Sequence, residues 1–140
     1  MPSADIPGLR TAQQRAGDAA EGFVAERLSA AGWTVLTRNV RLGRLEVDLL
    51  AIDPGPPAEL VLLEVRWRRS REFGLPEETF DARKRRHLRA AVAVLLGLGE
   101  LPGGSTIPRL PVRIDLVVVE PPARVGEPPR MRHHRAALAG

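Results

Sequence analysis

The segment Asp53-Pro-Gly-Pro-Pro-Ala-Glu59 constrains this chain more than any other. Its prolines and glycine stop either a helix or a strand from running through it. On each side lies a run that alternates in polarity, Arg44 to Ile52 before it and Leu60 to Trp67 after it. Two such runs joined by a turn predict an antiparallel hairpin. With Asp53 opposite Glu59, Asp48 stands opposite Glu64 and Glu46 opposite Arg66. Period-2 alternation sets Leu45, Val47, Leu49 and Ala51 on one face of the first strand, and Glu46, Asp48, Leu50 and Ile52 on the other. On the partner strand Glu64 and Arg66 share a face, opposite Val61, Leu63, Val65 and Trp67.

Helical and extended patterns flank this hairpin. Ala16, Ala20, Phe23, Val24, Leu28 and Ala31 recur at the helical period over Gln13 to Ala31, and Gly32 supplies a stop. Trp33 to Arg38 alternates as a strand that Asn39 closes. Glu78 to Leu96 predicts a second helix, with Phe80, Lys84, His87, Leu88, Ala91, Val92 and Leu95 on one stripe. Val112 to Val119 is an apolar strand carrying Asp115, and Arg130 to His134 is a candidate edge strand. The order α-β-β-β-α-β predicts an α/β fold with a central mixed sheet flanked by helices. Residues 12–120 are expected to form the domain, and 121–140 a Pro-rich linker and C-terminal tail.

Several function classes drop out on composition. With no cysteine, thiolate metal sites and disulfides are excluded. The first ten residues lack a secretory apolar core, and Ala90 to Leu96, the longest apolar run, is far short of the roughly 20 residues a membrane span needs. A cytoplasmic protein with no membrane partner is expected. The net charge is +4 and the pI ≈ 11.1, with Lys84 the single lysine among 21 basic residues. Arginine suits phosphate contacts, although a GC-rich genome would produce the same bias. At 4% aromatics, a base-stacking platform has little support. No Ser/His/Asp set, P-loop or dinucleotide fingerprint is present.

Two carboxylates on adjacent strands, Asp48 and Glu64, repel unless a proton or cation lies between them. A hard divalent ion satisfies such a pair, because Mg²⁺ takes one or two carboxylates and fills its shell with water and phosphate oxygens. Cross-strand ion pairs, Glu46 with Arg66 and Asp48 with an arginine, are the alternative. Spacing does not decide between them.

Four segments carry a resemblance: Gly17-Asp-Ala-Ala-Glu21, Arg38-Asn39, Leu45-Glu-Val-Asp48-Leu-Leu-Ala, and Leu63-Glu64-Val-Arg66-Trp-Arg68. Phe73-Gly-Leu-Pro76, Lys84 and Arg113-Ile-Asp115-Leu-Val-Val add to it. In this order they resemble the UPF0102 (YraN-like) family, which is similar to the PD-(D/E)XK superfamily, over about Arg15 to Val119. The resemblance implies a restriction-endonuclease-like core and a metal-dependent nuclease acting on DNA or a structured nucleic acid. Nucleic acid is the expected partner, DNA ahead of RNA, though the resemblance does not itself choose between them. In that scheme Asp48 and Glu64 hold Mg²⁺ (or Mn²⁺), Glu21 assists and Arg66 steadies the phosphate. Leu45 stands where the family usually has glycine, and Arg66 where it has lysine. Arginine can stabilise charge but cannot act as a base. A nucleic-acid-binding module that keeps the scaffold without catalysis is therefore the alternative, and a protein-interaction domain held by ion pairs a third.

Arg66 to Arg89 holds nine basic residues against four acidic ones. Arg38, Arg68, Arg69 and Lys84 are the candidate phosphate contacts. The stem of Lys84 is expected to pack on the core with its ammonium in water, the alternative being a reach into the cleft. His133 and His134 would point to opposite faces of a strand and so not chelate one ion. A homodimer is the assembly allowed for.

Overall fold

The computed structural model describes residues 12–42, 44–68, 82–101 and 103–137. Helix α1 (Ala12–Ala30) leads into β1 (Thr34–Leu42), β2 (Leu45–Asp53) and β3 (Glu59–Trp67). Helix α2 (Ala82–Leu98), β4 (Val112–Glu120) and β5 (Arg130–His134) follow. The strands make one sheet in the order β1-β2-β3-β4-β5. All neighbours are antiparallel except β3 and β4, which run parallel and are joined through α2. This α/β architecture, a mixed five-stranded sheet between two helices, is compatible with the nuclease-like core expected. Among the described residues no helix is long and apolar enough to cross a membrane. Glu78 to Asp81, the expected start of α2, lie outside the described residues, as do Arg69 and Phe80.

Each helix buries one stripe. Ala20, Val24 and Leu28 of α1 pack with Leu49, Ala51, Val61, Leu63, Val117 and Val119. Leu88, Ala91 and Leu95 of α2 pack on the other face, with Leu50, Leu60, Leu62, Ile114, Leu116 and Val118. At the end of α1, Gly32 takes φ +93°, Trp33 N–H bonds back to the Leu28 carbonyl at 2.9 Å, and Gly32 N–H to Ser29 at 3.1 Å. This left-handed cap, which glycine adopts at least cost, turns the chain and buries Trp33. In the hairpin turn Gly55 has φ +64°, and a Cβ there would lie 2.0 Å from the Pro57 carbonyl oxygen. Only glycine fits.

The hairpin has the expected register, running from Asp53↔Glu59 to Leu49↔Leu63. The expected facing of β2 is corrected. Leu45 and Val47 join the α2-side core together with Leu50 and Ile52, whereas Leu49 and Ala51 face α1. The alternation therefore reverses at Asp48. Strand β1 reverses with it: Arg38, opposite Leu49, faces α1, whereas Val40 and Leu42 enter the α2-side core. The pairs Arg38↔Leu49 and Val40↔Val47 keep one register, and Asn39 and Asp48, which stand between them, drop out of the ladder. Asn39 has φ +52°, a conformation asparagine tolerates better than most residues. It bends β1 without closing it, so the strand runs on to Leu42.

Candidate functional site

At the reversal, the β2–β3 ladder opens into a fork. Beyond Leu49↔Leu63, the Val65 N–H donates to the Asp48 side chain, Oδ2, at 2.8 Å instead of to a strand carbonyl. The carboxyls of Asp48 and Glu64 also hydrogen-bond to each other. Burial, then the neighbouring Glu64 charge, pushes the Asp48 pKa up to about 8, with Glu21 adding to the rise and the Val65 N–H opposing it. Near neutral pH the pair thus keeps a proton that an isolated aspartate would have lost.

Glu64 is buried, and two cations meet its Oε1: Lys84 Nζ at 3.1 Å and Arg66 Nε at 3.2 Å. Arg66 therefore pairs along its own strand. Glu46 does not face it: it lies near enough to Glu21 to raise the pKa of that residue. Lys84 also departs from expectation, because α2 aims its ammonium at the Glu64 carboxylate and leaves the side chain only 27% exposed.

Glu21 projects from α1, 9% exposed, and its Oε2 has no hydrogen-bond partner. Burial raises its pKa, Asp18 and Glu46 raise it further, and the Asn39 side chain and Arg38 oppose them. The exposed Arg38 donates to the Asp18 carbonyl at 3.2 Å and lies against Gly22 of α1. Arg68, expected at the surface, is buried and bonds Glu120 Oε1 at 3.4 Å through Nη1. Glu120 is also paired with Arg130 and Arg132.

The donor set at the fork is all oxygen, which suits a hard cation. The shared proton marks where positive charge is wanted, and Glu21, whose charge adds to the Asp48 rise, keeps an unpaired oxygen, Oε2. Among the described residues no three His, Cys, Asp or Glu side chains form a ready metal cage. An ion would therefore rest on Asp48 and Glu64, within what Mg²⁺ accepts.

A second polar cluster escaped the sequence reading. Arg113 binds Asp53 at 2.9 Å, Glu59 at 3.0 Å and Asp115 at 2.8 Å. Asp115, fully buried, also accepts from the Ala136 N–H and meets His133 Nε2, each at 2.8 Å. Burial alone would lift the Asp115 pKa, but the bonds from His133, Arg113 and Ala136 outweigh it and hold the carboxyl below its ordinary range. The signal was Arg113-x-Asp115 at the head of an otherwise apolar strand. The partners it needed were as far away as Asp53 and His133.

Residues 20–119, which include Glu21, Asp48, Glu64, Arg66 and Lys84, match the model of a family described as "Uncharacterised protein family UPF0102". Among its relatives, UPF0102 protein STH1475 of Symbiobacterium thermophilum is 42% identical over 109 residues, 77% of this chain and 84% of that protein. A UPF0102 protein of Moorella thermoacetica is 37% identical over 107 residues, covering 76% and 82%. One from Roseiflexus castenholzii is 34% identical over 122 residues, covering 87% and 90%. By the extent of these matches, the chain belongs to the UPF0102 family.

Proposed function

We propose that this protein is a metal-dependent nuclease that hydrolyses phosphodiester bonds in DNA or a structured nucleic acid. The observation that supports this most is the mutually hydrogen-bonded carboxyls of half-buried Asp48 and buried Glu64 at a fork in the sheet. A Mg²⁺ or Mn²⁺ ion held by these two would supply Lewis-acid polarisation of the phosphodiester and a more acidic water. Lys84 and Arg66, both already at the Glu64 carboxylate, bring positive charge to where a scissile phosphate would gain negative charge. Arg66 offers a fork of donors and takes no proton, so proton transfer falls to a carboxylate. Glu21 has an unpaired oxygen and a raised pKa, both suited to accepting a proton from water. Arg38, exposed beside Glu21, would hold the flanking backbone. Arg68, the other candidate phosphate contact described, is paired with Glu120.

A second reading, a binding module without catalysis, is favoured by one observation: Glu64 already carries two cations. Incubation of branched and single-stranded DNA with Mg²⁺ or Mn²⁺ separates the two. Cleavage that falls about 10²-fold or more in Asp48→Ala and Glu64→Ala supports the nuclease. Salt-sensitive binding that those changes leave intact, with no cleavage under either ion, supports the module. Arg66→Lys, which restores a group able to shed a proton, is expected to raise cleavage.

A further inference from the structure

On the α1 side of the sheet, past the C-terminal end of the helix, lies a cleft of about 430 Å³. Leu28, Trp33 and Met131 form apolar walls, and Arg27, His133 and Arg135 bring polar groups. Among the described residues no carboxylate lines it. The acids nearby, Asp53, Glu59 and Asp115, all close on Arg113, and two of them also reach lining residues, Asp53 to Arg135 and Asp115 to His133. Aromatic rings position both guanidiniums, Arg27 over Phe23 at 5.5 Å and Arg135 over Trp33 at 5.7 Å. The ring contact orients Arg27 without neutralising it, whereas Arg135 is also paired with Asp53. Arg135 lies 3.6 Å from Asp53, whose nearer partner is Arg113 at 2.9 Å. His133 is fixed by Asp115 through Nε2 and tilts against Trp33, with ring centroids 5.6 Å apart.

We propose that this cleft binds a nucleoside phosphate, with the phosphate between Arg27 and Arg135 and the base against Leu28, Trp33 and Met131. A bare anion would leave the apolar walls unfilled, and an uncharged apolar ligand would leave Arg27 unmatched and Arg135, 61% exposed, only partly matched by Asp53. Planar guanidiniums match phosphate oxygens in pairs, and the volume lies at the small end of ligand pockets, which suits one nucleotide unit. The choice of a nucleotide over another aryl phosphate rests on the proposed nuclease function. Arg27 stands six residues beyond Glu21 on α1, roughly 9 Å along the axis at 1.5 Å per residue. The cleft is therefore separate from the fork but within reach of the same strand of nucleic acid.

Tryptophan fluorescence of the full chain, titrated with deoxyadenosine monophosphate, tests this, because Trp33 lines the cleft. The expected result is a saturable change, at least tenfold weaker in affinity with deoxyadenosine or inorganic phosphate. Arg27→Ala and Arg135→Ala, at exposed positions, each weaken it about tenfold, and Asp48→Ala leaves it unchanged. No saturable change, affinity in both arginine variants equal to that of the parent, or tighter binding of phenyl phosphate overturns the proposal. A 5′-phosphorylated oligonucleotide that binds more tightly than the mononucleotide identifies the ligand as a strand end, and the reverse order identifies a free nucleotide. Nucleotide binding without any DNA cleavage would remove the nuclease reading and leave the cleft as a nucleotide site.

Discussion

The carboxyl of Asp48, with its pKa pushed up to about 8, binds a proton in the folded protein that the unfolded chain releases near pH 4. Between these values the native state holds more protons than the unfolded state, so this group lowers stability progressively as pH rises from about 4 to about 8. Asp48→Asn removes that penalty. Thermal melts across pH are expected to show the variant more stable than the parent at pH 8 and close to it at pH 4. A variant that melts lower at pH 8 would show that the Val65 N–H, which Asp48 accepts at 2.8 Å, matters more than the repulsion. Stability given up at a functional position is a common exchange. Residue identities here were legible early: Asp48 and Glu64 stood out by type and spacing, and Glu21 through the family resemblance. The role of Lys84 was not, because helical periodicity shows which stripe faces inward but not which buried acid lies at the end of a long side chain.

Between elements, the Arg113 cluster ties β2, β3 and β4 to β5 and the turn after it. Asp53 and Asp115 both have pKa values below the ordinary range. For Asp53 the Gly55 N–H and Arg113 overcome burial, and for Asp115 His133, Arg113 and Ala136 do so. Carboxylates of this kind stabilise the fold above the ordinary range, near pH 4, and cease to do so as pH falls through their folded values. Loss of Arg113 strands a buried carboxylate, which typically costs about 3–5 kcal/mol. Urea unfolding of Arg113→Ala at pH 7 should show a loss of that order, shrinking as pH falls toward 4. A loss that does not change with pH would assign the effect to packing on Trp33 instead. The hairpin register could be read because its turn is unambiguous and counting outward from it needs no distant information. The fork could not, because period-2 reasoning presumes a regular strand, and Asn39 and Asp48 break that regularity together. The His133–Asp115 contact joins strands that only the finished sheet brings side by side.

For the whole molecule, the proposed function and a net charge of +4 together predict a nucleic-acid affinity that depends on salt. If Arg38, Arg66 and Lys84 each displace one counterion, log affinity should fall against log salt with a slope of about −2 to −3. Lys84→Ala should flatten it by roughly one unit. A slope near zero would point to a partner that is not a polyanion. The cleft lies at the C-terminal end of α1, six residues beyond Glu21, so under the two proposals a single strand of nucleic acid would engage both the fork and the cleft. The paired reversal at Asn39 and Asp48 bears on how such a chain can change over generations. Straighten one ribbon alone and its outer half turns inside out, sending Val47 or Val40 into solvent while the neighbour stays put. Drift at position 39 must therefore be matched at position 48, and an aspartate persisting there would record a mechanical obligation of the sheet as much as a chemical one.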